Sequence, residues 1–163
     1  QKQSRGHIVS KSSHILIVEA RFYEDITDEL ARGAIAEIEK RGGTYERIAV
    51  PGVLEVPGAV KFALDAMSRR AIEKPFDGFV ALGCVIRGET THYDTVCNES
   101  ARALMDLTIE HSLALGNGIQ TVENGDQAWA RAKVDKKNKG GGAAAACLDM
   151  IELKGKLGLL GGR

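Results

Sequence analysis

The sequence holds only three cysteines, Cys84, Cys97 and Cys147, in 163 residues. They are widely spaced and odd in number, which excludes a disulfide framework and a zinc cluster and suits a reducing cytoplasm. An excess of one charge is also missing. Twenty-two Lys+Arg are balanced by 22 Asp+Glu, so no global field attracts nucleic acid or an anionic membrane, and an anionic ligand needs a local site. No stretch approaches the roughly 20 apolar residues that span a bilayer. The start, QKQSRGHIVSKSS, is polar and has no apolar signal core, so the expectation is a soluble, unexported protein. Also absent are a His-Glu-x-x-His pattern, paired cysteine ligands, a cluster of close acids, a Walker loop and a GxGxxG after the first strand. Those absences point to chemistry without metal or nucleotide cofactor.

With 44% hydrophobic residues, the chain can build one core of ordinary domain size. HILIVE (14–19) is short, apolar and barely alternating, the pattern of a strand buried on both faces. A helix follows from Asp25 to about Lys40, with Ile26, Leu30, Ile35 and Ile38 at helical spacing and Gly42-Gly43 as a stop. The order repeats: TYERIAV (44–50) as a strand, PGVLEVP as a loop, and a helix from Gly58 to about Ala71. DGFVALGCVI (77–86) is the most continuous apolar run and is expected at the centre of the sheet, with RGETTHYDTV opening a long helix behind it. GIQTV (118–122) reads as a shorter strand, followed by helices at about 125–133 and 141–153, with KVDKKNKGGG as the loop between them. Strands alternating with helices predict a three-layer α/β/α sandwich around a four-stranded parallel, flavodoxin-like sheet. Residues 1–13 are expected to be a loosely ordered tail with an extended piece at His7–Ser10, and 14–163 a single domain.

Ligands of such sheets gather outside the carboxyl ends of the strands. Arg87-Gly88-Glu89-Thr90-Thr91-His92 lies there, between a buried strand and a helix start, where backbone N–H groups and the helix dipole favour a phosphate. Taken alone, it is equally a common helix cap. His92, in the first turn, is either a proton-transfer group whose ring the dipole favours neutral or a surface histidine. Phe22 follows the first strand, in a chain that is only 5% aromatic, and either stacks on a planar ring or plugs the sheet end. Glu55, in the proline-braced loop, either receives sugar hydroxyls or is merely solvated. Trp129 reads as a packing residue, and Arg131 and Lys139 as candidates for anion contact.

Together these segments resemble the lumazine synthases. The likeness rests on RFY (21–23), PGVLEVP (51–57), ALGCVIRGETTHYDTVCNES (81–100), GIQTVEN (118–124), QAWARA (127–132) and NKGG (138–141), in order through most of the chain. ALGxVIRGxTxH is the most specific of them. The resemblance implies condensation of 5-amino-6-(D-ribitylamino)uracil with 3,4-dihydroxy-2-butanone 4-phosphate to 6,7-dimethyl-8-ribityllumazine, with no cofactor and no metal. It implies that Phe22 stacks on the pyrimidine and that Val53, Leu54 and Glu55 line the pyrimidine and ribityl site. Cys84, Val85 and Ile86 would meet the uracil through backbone, and Glu89 and Thr90 would hold the phosphate. Arg131 would neutralise that phosphate, with help from Lys139, and His92 would transfer protons.

Two positions depart from the family pattern. Asn117 stands where many relatives carry an aromatic that closes the pyrimidine site from the adjacent subunit, and Cys84 stands where many have Thr or Ser. The resemblance further implies a homopentamer with active sites between subunits, or a higher assembly of pentamers. A non-catalytic flavin- or lumazine-binding module and a shell-forming protein are the alternatives on the same fold.

Overall fold

A computed structural model describes residues 12–160; the extended piece expected at His7–Ser10 lies outside the described residues. Four strands pair in parallel in the order β2-β1-β3-β4: β1 (His14–Ala20), β2 (Thr44–Val50), β3 (Gly78–Ile86) and β4 (Leu115–Val122). All seven residues of β1 are buried. Its apolar side chains fill both faces: Ile15 and Ile17 join one core cluster, Leu16, Val18 and Ala20 the other. β3 lies beside it as the second inner strand, as its long apolar run predicts.

Helices α1 (Glu24–Lys40), α4 (Gly125–Ala132) and α5 (Lys139–Lys156) supply the first cluster through Leu30, Ile38, Ala128, Ala144 and Leu148. Helices α2 (Val56–Ser68) and α3 (His92–His111) supply the second through Val56, Val60, Val96 and Leu104. The sheet is thus covered on both faces, giving the expected three-layer α/β/α sandwich.

α5 is longer than expected, taking in Lys139–Gly142 of the expected loop and running on to Lys156; three further boundaries that differ from the sequence reading are instructive. β4 begins at Leu115 rather than Gly118 because its parallel pairing with β3 runs back to Phe79↔Leu115. Gly116 weakens the strand pattern ahead of Gly118, yet both glycines lie against Ala143 of α5, which needs side chains this small there. α2 begins at Val56, after a 3-10 turn at Val53–Glu55, with Pro57 in its first turn where no backbone donor is lost. It ends at Ser68 rather than Ala71, and Arg70 beyond it takes a left-handed φ of 55°. Because every strand points the same way, the turns after Ala20, Val50, Ile86 and Val122 share one edge of the sheet.

Candidate active site

Phe22 sits in the two-residue link between Arg21 and α1 and is 73% exposed. Its ring meets Tyr23 edge-on at 4.9 Å between centroids. Arg21, Phe22, Tyr23, Glu24, Asp25, Ile26 and Trp129 line an open hollow of about 530 Å³. Trp129 is half-buried and packs on the core as expected, while one side of it reaches this hollow. The backbone beneath Phe22 is tied by the buried Thr27, whose hydroxyl donates to the Ala20 carbonyl at 2.8 Å.

After β2, the 3-10 turn buries Val53 and leaves Leu54 and Glu55 exposed. Val53 therefore anchors the turn while its two neighbours face outward from the same edge. On β3, Cys84 is buried and points into the cluster beneath α1 and α5. Burial pushes its thiol up to about 11, so at neutral pH it stays protonated and is no nucleophile. Val85 and Ile86 are half-buried on opposite faces of the strand end.

α3 opens at His92, which is exposed, as are Glu89 and Thr90 before it. Thr91 occupies the N-cap but makes no side-chain capping bond; the Thr90 hydroxyl instead accepts from the His92 N–H at 3.3 Å. That long bond is a weak cap, so the helix start keeps donor capacity and its positive dipole end for an outside acceptor. The turn itself is held firmly. Arg87 donates from its backbone to the Val122 carbonyl at 2.9 Å and from Nε to Glu123 at 2.7 Å, and its guanidinium covers the Tyr93 ring at 4.2 Å. Across the edge, Asn124 caps α4 by accepting from the Gln127 N–H, and Gln127 accepts in turn from the Glu123 N–H, both at 2.9 Å.

Phe22, Val53–Glu55, Cys84–Ile86 and Glu89–His92 are therefore brought to one edge. Asn117 is not gathered with them. Asn117 is exposed on the edge strand β4 and pairs with Ala81. Five residues separate that level from Ile86, or about 17 Å along the sheet. Arg131 is half-buried late in α4, where Nη1 donates to the Gln127 carbonyl at 3.2 Å, and Lys139 is exposed at the start of α5. Among the described residues, no group of three or more His, Cys, Asp or Glu is placed to hold a metal ion.

Sequence reasoning passed over Arg87 as a brace and passed over Glu19. The signal for Glu19 was present, an acid within the otherwise apolar run HILIVEA. Its partner Arg47 lies 28 residues away and is brought close only by the β1–β2 register.

Residues 12–155 match the family described as 6,7-dimethyl-8-ribityllumazine synthase. Among curated relatives, a protein of that name from Agrobacterium fabrum is 59% identical over 145 residues, covering 89% of this chain and 97% of its own. Another from Bartonella henselae is 57% identical over 150 residues, covering 92% of this chain and 94% of its own. A 6,7-dimethyl-8-ribityllumazine synthase 1 from Rhizobium meliloti is 59% identical over 148 residues, covering 91% and 95%. A match of this extent, on a parallel sheet whose matching motifs meet at one edge, makes the chain a member of the 6,7-dimethyl-8-ribityllumazine synthase family.

Proposed function

We propose that this chain catalyses the penultimate step of riboflavin biosynthesis, transferring the four-carbon unit of 3,4-dihydroxy-2-butanone 4-phosphate onto 5-amino-6-(D-ribitylamino)uracil. The products are 6,7-dimethyl-8-ribityllumazine, phosphate and water. The observation that carries the reading is the convergence of Phe22, Val53–Glu55, Cys84–Ile86 and the start of α3 on one sheet edge, in a chain of this family.

In this reading the pyrimidine stacks on Phe22 and takes hydrogen bonds from the backbone of Cys84, Val85 and Ile86, while Leu54 and Glu55 flank the ribityl chain above the buried Val53. The phosphate accepts from N–H groups at Glu89 and Thr90; the Glu89 carboxylate, of like charge, turns away. The amine attacks the ketone to give an imine, phosphate leaves by elimination, and the second amine closes the ring. Each step moves a proton, and the exposed His92 stands beside the phosphate-binding turn to carry it. No step needs a strong protein nucleophile, which fits the protonated Cys84 thiol. Positioning carries much of the rate.

The working unit is a homopentamer, with residues 14–163 as one domain. Two features support a shared site. The edge around Phe22 is open on one side, and Asn117 lies below it on the edge strand, where it can serve a neighbour's. The exposed apolar side chains Phe62 of α2 and Met105 and Ile109 of α3 offer a surface for the subunit contact. Its place is the cytoplasm, in keeping with three free cysteines. No described helix is long and apolar enough to cross a membrane.

Mixing the protein with both substrates and following lumazine absorbance and fluorescence tests the activity. His92→Ala is expected to slow turnover by about 10²-fold with a modest change in substrate binding, and Arg131→Ala to raise KM chiefly for the phosphate substrate. A folded wild-type protein that binds lumazine and makes none would instead be a binding module. Wild-type turnover by His92→Ala across pH would remove its proton-transfer role.

A further inference from the structure

Glu19, the penultimate residue of β1, is 3% exposed. Its carboxylate accepts a bidentate pair from Arg47 on β2, Nε at 2.6 Å and Nη2 at 2.8 Å, and a third bond from Arg21 Nη1 at 3.0 Å. The other terminal nitrogen of Arg21, Nη2, lies 2.7 Å from Asp28 Oδ1, inside α1. Arg21 therefore bridges β1 and α1 across the short link that contains Phe22. That link has no side-chain cap at Tyr23, the N-cap of α1. A ring as exposed as Phe22 gains little direction from packing, so the backbone and its neighbours must aim it. Glu19 is buried while the Arg21 and Arg47 side chains are 24% and 43% exposed, so the carboxylate needs its partners but the bonds add modest net stability, and what they fix is the direction of the Arg21 guanidinium.

We propose that Glu19 is a positioning residue that, through Arg21 and Asp28, holds Phe22 ready as a stacking surface for the pyrimidine substrate; this rests on the reading of the site given above. Glu19 touches no substrate. Its carboxylate fixes the Arg21 guanidinium, which with Asp28 sets the separation and angle of the two ends of the Phe22 link. A platform held before binding spares the ligand the entropic cost of ordering it. That benefit is made equally to ground and transition state, so it is read in KM rather than kcat.

The test is steady-state kinetics on the intact assembled enzyme, with Glu19→Gln, Arg21→Lys and Arg47→Gln. Glu19→Gln keeps the shape and loses the charge. Its KM for ribitylaminouracil is expected to rise about five- to tenfold, with kcat and the KM for the phosphate substrate within about twofold. Binding of 6,7-dimethyl-8-ribityllumazine, followed by its fluorescence, should weaken by the same factor. Arg21→Lys keeps a charge but cannot span both acids, so it gives the same split even where Glu19→Gln folds poorly. Arg47→Gln loosens the same carboxylate from the β2 side while Arg21 keeps its partner; it is expected to lower the thermal midpoint and leave the pyrimidine KM unchanged. A wild-type pyrimidine KM in Glu19→Gln or Arg21→Lys overturns the proposal, as does an equal rise in Arg47→Gln, which would mean general loosening. A wild-type protein that neither binds nor turns over the pyrimidine overturns the reading of the site itself, and this proposal with it.

Discussion

Gly116 lies in β4 and Gly88 in the RGETTH turn, and their surroundings differ. A Cβ on Gly116 would stand 1.8 Å from the Ala143 carbonyl oxygen and 2.7 Å from its carbon, so both partners in the clash are backbone, of β4 and of α5. Neither can swing aside as a side chain would. Gly116→Ala is therefore expected to destabilise the fold by about 3 kcal/mol, at the upper end of overpacking costs, seen as a lower midpoint in thermal or urea unfolding. Gly88 has nothing within 4 Å of such a Cβ, so Gly88→Ala should leave that midpoint unchanged. A comparable loss at both sites would show that the turn after β3 is more tightly packed than its open surroundings indicate. The same distinction separates the acids: Glu55 and Glu89 are exposed and free to meet a ligand, whereas Glu19 is committed to two guanidinium groups.

Among the elements, α3 and α5 have similar lengths and opposite environments. α5 buries Gly140, Gly141, Ala143, Ala144, Cys147, Leu148 and Ile151 in 18 residues, while α3 buries only Val96, Ser100 and Leu104 in 20. A narrow buried stripe leaves α3 with an outer face on which Met105 is 60% and Ile109 75% exposed, and Phe62 of α2 adds a ring that is 74% exposed. Apolar groups of this size on an outer helical face mark a contact surface. Ile109→Glu should keep the far-UV helical signal and shift sedimentation from the assembled species to smaller ones, because a carboxylate buried at each subunit contact is costly to desolvate. Unchanged assembly would move the contact away from this face. The inner strands β1 and β3 and the course of α1 were legible in the sequence because continuous apolar runs and helical spacing each have one structural answer. β4 was only half legible, since its glycines serve helix contact rather than strand propensity. The site was legible where its parts are contiguous, as in RGETTH and PGVLEVP. It was hidden where strand register creates the partnership, as between Glu19 and Arg47.

At the scale of the whole molecule, a parallel sheet sends every strand end to one edge, and that concentrates half of a site. The other half is displaced by the same geometry: Asn117 pairs with Ala81, well below Ile86, and faces out from an edge strand. Asn117 is level with Val18, four residues before Phe22, and two strands across, or roughly 13 Å down the sheet and about 10 Å across it, so it does not cover its own Phe22. It can close over another subunit's, and a heterologous contact of that kind forms a ring when the rotation closes. In the proposed pentamer, with Arg131 reaching the site from the neighbour, His92 and Arg131 belong to different chains within each active site, and the arrangement has a consequence that no single-chain site shares. His92→Ala and Arg131→Ala are each impaired when assembled alone. If equal amounts are dissociated, mixed and reassembled, a contact is fully wild-type when the subunit giving His92 and the neighbour giving Arg131 both retain them. Random mixing makes that about one contact in four in a closed ring, so roughly a quarter of wild-type activity should return, although every chain carries one defect. A site completed within one chain predicts no recovery above the mean of the two variants, and that outcome would remove the shared site along with the functional reason for the ring.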